Sequence, residues 1–269
     1  MSNVSAVIPC YRCADTIARA VTSIAEQTSQ PAEVILVDDC SGDDTLATLY
    51  ELQAHYPQGW VKVIESPKNA GPGTARNLGW EAATQAYIAF LDADDSWHRQ
   101  KIAIQYGWMS KNPEAALTGH TCQQVNNETT VNQTENFISM TACFYPLKKN
   151  KLLLSNSLST PSVMLRRDIE QRFPDGKRYA EDYHLWLEIC CAGLQCYRSE
   201  LPLACLYKAA YGESGLSSAL WKMEQGELDA YVSLFKKNNI KMGTLLFLLG
   251  FSLAKCLRRI VLLNIKKVT

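Results

Sequence analysis

The chain lacks most of the features that assign a protein at sight. Its 27 lysines and arginines are balanced by 27 acids, so the basic excess of a general nucleic-acid binder is missing and that class is excluded. Ten cysteines and four histidines fall into no zinc-binding spacing. The Gly-rich segment Asn69 to Asn77 lacks the Gly-Lys-Ser/Thr ending of a Walker loop. It also follows the third strand-like run rather than the first, which excludes the dinucleotide fingerprint. The uncharged stretch Met242 to Ala254 is shorter than the roughly twenty residues needed to span a bilayer. No leader pattern precedes the first strand-like run, so free thiols in a reducing cytosol are expected. Cys10-Tyr11-Arg12-Cys13 has redox spacing, but such a pair normally opens a helix after a longer lead-in. Cys190-Cys191 are expected to pack in a helix core, and the sequons at Asn127 and Asn132 carry no meaning in the cytosol.

What is present is the pattern of an α/β protein. With 269 residues and 47% hydrophobic content, the chain can form one large domain with appendages or two small ones. Strands are expected over Val4–Pro9, Glu33–Val37, Trp60–Ile64 and Ala86–Leu91. Helices are expected over Thr16–Gln27, with Asp15 as cap, from Leu46 to Leu52, and from the Gly-rich turn to about Thr84. This alternation predicts a mostly parallel sheet with helices on both faces, and such sheets hold ligands outside the carboxyl ends of their strands. Three of the expected strands end in polar residues on that one edge: Cys10-Tyr11-Arg12, Asp38-Asp39 and Asp92 to Asp95. From Asn112 to Asn156 the pattern loosens, and Thr121 to Asn136 reads as a polar surface excursion. Further on, a strand is expected over Leu158–Leu165, a short helix and turn over Arg166–Phe173, a helix through Tyr179–Ile189, a strand over Leu201–Tyr207 and a helix over Ala219–Lys237.

Two acidic foci carry candidate chemistry. Asp92-Ala93-Asp94-Asp95 follows a buried strand, and two carboxylates at i and i+2 on a turn can face one hard cation such as Mg²⁺ or Mn²⁺. The other reading is an acidic turn capping a helix that begins near Trp97. Glu181 and Asp182 open a helix on which Tyr183, Trp186, Leu187 and Cys190 share one face. They are either N-terminal acids favoured by the helix dipole or a base facing the first focus. His184 is expected to be structural or solvent-facing. The Gly-rich loop is either a tight turn or a diphosphate cradle.

Taken together, Val7-Ile8-Pro9-Cys10-Tyr11-Arg12, Val37 to Thr45, Asn69 to Asn77, Phe90 to Asp95 and Glu181 to Leu187 resemble, in order, the motifs of the family-2 inverting glycosyltransferases of the GT-A fold. The resemblance is dense over residues 4 to about 110, returns at 158 to 190 and fades beyond about 218. It implies a Rossmann-like, mostly parallel sheet with a C-terminal helical extension. Residues 1–218 would form the transferase domain, with 1–110 binding the nucleotide sugar and 111–218 supplying the acceptor side and the base. Residues 219–269 would be helices that associate with membrane. By the same resemblance, Tyr11 would pack on the nucleobase and Asp39 would accept from its ring N–H. Nucleotide-sugar contacts would come from Pro9, Tyr11, Asp39, Gly71, Arg76, Asp92, Ala93, Asp94 and Lys208. Asp92 and Asp94 would hold Mn²⁺ or Mg²⁺, and Asp182 would be the general base with Glu181 beside it. Many relatives carry a basic residue and then a histidine after the last strand. Here Tyr207 to Ser214 contains Lys208 but no histidine, so that third metal ligand is missing.

The function implied is metal-dependent, inverting transfer of a hexose or N-acetylhexosamine from a nucleotide sugar, UDP-linked by expectation, to a lipid-linked saccharide. Surface polysaccharide assembly at the inner face of the cell membrane fits this reading. Two alternatives stand beside it. A catalytically silent scaffold of the same fold would bind nucleotide or membrane. A sugar-nucleotide pyrophosphorylase would need a basic Gly-rich signature near the first strand, which is absent. Beyond Asp229 the chain has no acid but eight basic residues. Basic residues flanking an apolar helix suit an anionic membrane surface, while packing against the core or a partner chain is the other reading.

Overall fold

A computed structural model describes residues 1–125, 144–207 and 220–268, the last seven by backbone alone. Four strands form the parallel part of the sheet: β1 (Ser2–Cys10), β2 (Pro31–Asp38), β3 (Val61–Glu65) and β4 (Tyr87–Phe90). β1 lies between β2 and β4, and β3 is outside β2. The strands are continuous apolar runs because both faces are covered. Val7, Ile35, Val37, Ile88 and Phe90 enter one core. Ala6, Ile8, Val34, Leu36 and Ala89 enter the other. Helices α1 (Ala14–Ala25), α2 (Thr45–His55) and α3 (Pro72–Ala82) connect these strands. The chain leaves β1 toward β2 and β3 and then returns to β4 on β1's other side, so the crevice for a ligand lies at the carboxyl end of β1.

The second half extends the same sheet. β5 (Ser96–Trp97), α4 (Lys101–Met109), β6 (Ala115–Gln124), β7 (Tyr145–Pro146), α5 (Lys149–Leu154), β8 (Met164–Arg166), α6 (Glu181–Cys191) and β9 (Gln195–Leu206) follow in the chain. The strand order is β3-β2-β1-β4-β8-β6-β9-β5, with β7 on β9. β8 is antiparallel to both β4 and β6, while β6 and β9 run parallel. α7 (Leu220–Lys236) and α8 (Met242–Val268) close the chain.

Several expectations change here. Trp97 does not begin a helix: Ser96 and Trp97 pair antiparallel with Cys205 and Ala204, and the buried indole donates to the Pro161 carbonyl at 2.8 Å. The helix starts only at Lys101, so the acidic turn does not cap it. Leu158–Leu165 contributes a strand only from Met164, because Pro161 sits in a 3₁₀ turn, Thr160–Ser162. Arg166–Phe173 is a strand end followed by turns rather than a helix. The loosened region holds the unexpected β6, whose buried Thr118 is bonded by the Gln105 amide at 3.1 Å. Asp15 lies in the first turn of α1 behind an N-cap at Cys13. Cys10 and Cys13 are both free and buried, and burial, then Cys13, pushes the Cys10 thiol well up, opposite to a redox thiolate. His184 is buried, bonded to Glu188 and Lys177. Asn127 and Asn132 lie outside the described residues.

Candidate active site

Each acidic group is delivered by the end of an element. Asp38 and Asp39 end β2 and are both buried. Asp38 accepts from the Ser41 hydroxyl at 2.5 Å and from its amide at 3.3 Å, while the Arg12 amide donates to that same hydroxyl at 3.1 Å. Arg12 and Cys40 have φ of 49° and 56°, so both loops at the crevice hold left-handed residues that are not glycine. Asp39 instead reaches the Gly-rich loop. Its two oxygens accept from the amides of Ala70 and Gly71 at 2.9 and 2.8 Å. Gly71 is at φ 92°, and a side chain there would meet Arg178 at 3.1 Å. The loop is thus a tight turn before α3, with two amides aimed at Asp39. Tyr11 stands at the end of β1, 47% exposed, with the Arg12 guanidinium over its ring at 5.4 Å.

Arg76 joins the two acidic foci. It lies on α3, only 4% exposed. One terminal nitrogen donates to Asp92 at 2.7 Å and the other to Glu181 at 2.9 Å. The side chain sits over the Phe173 ring at 5.4 Å. Burial alone would pull its pKa down, but Asp92 and Glu181 outweigh that and hold it above the ordinary value. Asn77, one residue on, clamps Phe173 through both its amide and carbonyl at 2.8 and 3.1 Å. The loop leading to α6 is therefore fastened to α3 at the point where it delivers the second pair of acids.

Asp92 and Asp94 are both partly exposed on the turn after β4, with Ala93 buried between them. The Asp95 amide closes the turn on the Asp92 carbonyl at 3.1 Å, and Arg19 donates to the Asp94 carbonyl. At the start of α6, Asp182 accepts from the Thr160 hydroxyl at 3.2 Å and the Tyr183 amide at 2.6 Å. Burial raises the Asp182 pKa, with Arg76 and the Tyr183 amide opposing. Burial and the adjacent Asp182 raise Glu181, with Arg76 again opposing. A carboxylate held in place with a raised pKa is suited to take a proton.

Several contributors lie outside the sequence motifs. Thr160 comes from the 3₁₀ turn and touches Asp182, yet its Ser-Thr-Pro context marks no site. Ala180, the N-cap of α6, is left-handed at φ 53°. Gly226 of α7 presses against it, since a Cβ there would be 2.3 Å from the Tyr179 carbonyl. Tyr11, Asp39, Asp92 and Asp94 follow the carboxyl ends of β1, β2 and β4; Gly71 is bonded to Asp39, Arg76 to Asp92 and Glu181, and Asp182 to Thr160. Pro9 is the residue of β1 opposite Val37. Lys208 lies outside the described residues.

Known proteins share this fold. The model of glycosyl transferase family 2 matches residues 5–173, a span that contains Asp39, Arg76, Asp92 and Asp94. An Escherichia coli protein named UDP-Glc:alpha-D-GlcNAc-diphosphoundecaprenol beta-1,3-glucosyltransferase WfgD is 30% identical over 186 residues, 69% of either chain. Some relatives are longer: the chain spans 30% of an uncharacterised Rickettsia felis glycosyltransferase that is 31% identical over 191 residues. The S. aureus TarS 1-349 structure in complex with UDP-GlcNAc superposes with a TM-score of 0.68 at 19% identity, over 94% of this chain and 72% of that one. The mannosyltransferase PcManGT from Pyrobaculum calidifontis, in complex with GDP-Man and Mn²⁺, gives 0.67 at 18% identity, over 94% and 73%. By the extent of the family match and the shared fold, the chain belongs to glycosyl transferase family 2 and is a glycosyltransferase of the GT-A fold.

Proposed function

We propose that the protein transfers a hexose or N-acetylhexosamine, with inversion, from a UDP-linked nucleotide sugar to a lipid-linked saccharide in surface polysaccharide biosynthesis. The observation that carries this reading is the Arg76 bridge, which sets the carboxylates of β4 and those of α6 on one site at 2.7 and 2.9 Å from one guanidinium. The UDP-sugar and diphosphate-lipid in the name of the Escherichia coli relative support the substrate classes. In this reading residues 1–110 hold the donor, 111–218 the acceptor and base, and 219–269 the membrane.

Asp182 takes the proton from the acceptor hydroxyl as its oxygen attacks the anomeric carbon. Attack comes from the face opposite the leaving diphosphate, so configuration inverts. Thr160 and the Tyr183 amide hold the Asp182 carboxylate while it waits. Tyr11 is exposed enough to stack on the base. Asp39 retains lone pairs for a ring N–H beside its two amide partners. Arg76 fixes the distance between the foci and neutralises one Asp92 oxygen.

Asp92 and Asp94 suit Mg²⁺ or Mn²⁺. They are hard oxygen donors on one partly exposed turn, and among the described residues no third His, Cys, Asp or Glu joins them. Such ions commonly take one or two carboxylates and complete their shell with substrate phosphate and water. When bound, the ion supplies charge neutralisation for the departing diphosphate.

The C-terminal helix supplies the membrane face of this proposal. α8 buries Leu245, Leu248, Ser252 and Cys256. The opposite side leaves Leu246, Phe247, Leu257 and Val261 at 62%, 60%, 64% and 55% exposure. Among the described residues no helix is long and apolar enough to cross a membrane. An exposed apolar stripe on an acid-free basic segment is complementary to an anionic lipid surface at the cytoplasmic face. A donor-hydrolysis screen tests the whole reading: purified protein, Mn²⁺, a panel of UDP-, GDP- and dTDP-sugars, and released nucleotide as readout. Release from one UDP-sugar is expected, and silence across the panel, even with membrane extract as acceptor source, refutes it.

A further inference from the structure

The molecule holds a cavity that the proposed chemistry has not used. It has a volume of about 280 Å³, between β7, β9 and α5, and its lining includes Tyr145, Lys148, Lys151, Ser157, Arg198 and Glu200. Three cations face one carboxylate. Arg198 is held in place: it donates to the Ser157 carbonyl at 3.1 Å and the Thr121 hydroxyl at 3.0 Å, and pairs with Glu200. Lys148 and Lys151 are exposed, and neither ammonium has a hydrogen-bond or ion-pair partner among the described residues. The Ser157 hydroxyl oxygen is buried and also without a partner. Two unpaired lysines and an idle hydroxyl around one cavity, with a fixed guanidinium at its wall, are donors awaiting an anion.

The position of the cavity identifies the anion. Ser157 is three residues from Thr160, whose hydroxyl touches Asp182, and that length of chain spans at most about 11 Å. A sugar linked to a lipid through a diphosphate has its phosphates one ring away from the attacking hydroxyl. At its other end α5 reaches the membrane-facing helix. Leu154 is 36% exposed, and its carbonyl accepts from Lys255 of α8 at 3.0 Å. Base, basic cavity and exposed apolar helix thus follow one another in the order of saccharide, diphosphate and lipid.

We infer that this cavity binds the diphosphate of the lipid-linked acceptor, with Lys148 and Lys151 as its principal ligands. The inference rests on the acceptor class of the proposed function. The test is calorimetric titration of the full-length protein with undecyl diphosphate in EDTA, which removes metal-dependent binding at Asp92 and Asp94. Saturable binding is expected, weakened at least tenfold by Lys148→Gln/Lys151→Gln. The charge-matched control Lys68→Gln/Lys111→Gln, at two exposed lysines outside the cavity and the C-terminal segment, is expected to bind as the natural protein does. Equal binding by the Lys148/Lys151 variant overturns the site, as does undecyl sulfate competing as well as the diphosphate. Inorganic pyrophosphate binding as tightly as the alkyl compound overturns the lipid assignment and leaves a free-diphosphate site. Donor hydrolysis is read separately. A protein that hydrolyses a nucleotide sugar but shows no lysine-dependent binding loses this site alone. One that binds diphosphate through these lysines yet hydrolyses no donor loses the acceptor role of the site together with the transferase reading.

Discussion

At the residue scale, Asp182 works within a balance of opposing influences. Burial raises its pKa, and Arg76, the Tyr183 amide and the Thr160 hydroxyl lower it. As the proposed base it must be ionised, so kcat/KM should climb with pH along a limb displaced above the ordinary aspartate range near 4 and then level off. Thr160→Val removes a bond that favours the charged form, so the limb should move to higher pH. A pH profile of donor-saturated transfer measures this, and a limb that stays or moves down contradicts the role given to Thr160. Asp182→Asn should lower kcat by about 10²–10⁴-fold while donor binding, followed by nucleotide-sugar titration, survives. Arg76→Ala strands the buried Glu181 carboxylate and leaves the partly exposed Asp92 unpaired, and should cost about 3–5 kcal/mol of stability in denaturant melts.

At the element scale, single polar side chains fasten elements that hydrophobic packing alone would leave free to slide. Glu33 on β2 accepts from Ser5 of β1 at 2.6 Å, Lys62 of β3 at 2.6 Å, and the amide and hydroxyl of Thr84 at 2.7 and 2.8 Å. Burial alone would raise its pKa, but Lys62, Ser5 and Thr84 together bring it down to about 2. Because the folded value is depressed, this stabilisation is complete above the unfolded glutamate value and is lost as pH falls toward 2. Glu33→Gln should lower stability at pH 7 by about 1–3 kcal/mol and flatten the acid limb of the stability curve.

The C-terminus of α5 shows the same device across three helices. Its last carbonyls, Leu152, Leu153 and Leu154, accept from Tyr183 of α6, Tyr231 of α7 and Lys255 of α8 at 2.6, 2.9 and 3.0 Å. Glu227 accepts from Lys255 at 2.7 Å and, at 2.8 Å, shares the single Tyr231 hydroxyl hydrogen with the Leu153 carbonyl. Tyr231→Phe and Lys255→Met should therefore each destabilise by about 1 kcal/mol, with a double-variant loss that differs from the sum because they share Glu227. Gly226→Ala would drive α7 off the turn before α6. A fall in kcat larger than any fall in donor affinity is expected, and unchanged kinetics would show that α7 does not position the base.

At the scale of the whole molecule, one edge of the sheet collects the residues proposed to hold the donor, and one helix presents an apolar face to its surroundings. Leu246→Ser/Phe247→Ser/Leu257→Ser changes only exposed positions, so the melting temperature should hold while the protein leaves the membrane fraction. Flotation with anionic vesicles reads this directly, and raised salt should weaken the binding of the natural chain. Deleting α8 altogether is a poorer experiment, since Leu245, Leu248 and Cys256 pack inside. Partitioning unchanged by the triple substitution would assign the face to another occupant.

The sequence alone determined the parallel core and its polar carboxyl edge, because these are local facts. Val4–Pro9, Glu33–Val37 and Ala86–Leu91 are apolar runs long enough to be buried strands, and a polar stretch follows each. Glu181 and Asp182 were legible for the same reason, standing at the start of a helix. Tertiary structure decided whatever depends on a distant partner. Ala115–Gln124 becomes a strand only because β8 and β9 flank it and Gln105 satisfies Thr118, and Trp97 joins a strand because Cys205 and Ala204 lie beside it. The Gly-rich loop aims two amides at Asp39, which lies 31 and 32 residues before them in the chain. Arg76 couples acids 16 and 105 residues away in the sequence. No spacing rule encodes such a bridge, since it exists only once α3, β4 and α6 have packed and left one guanidinium between two carboxylates.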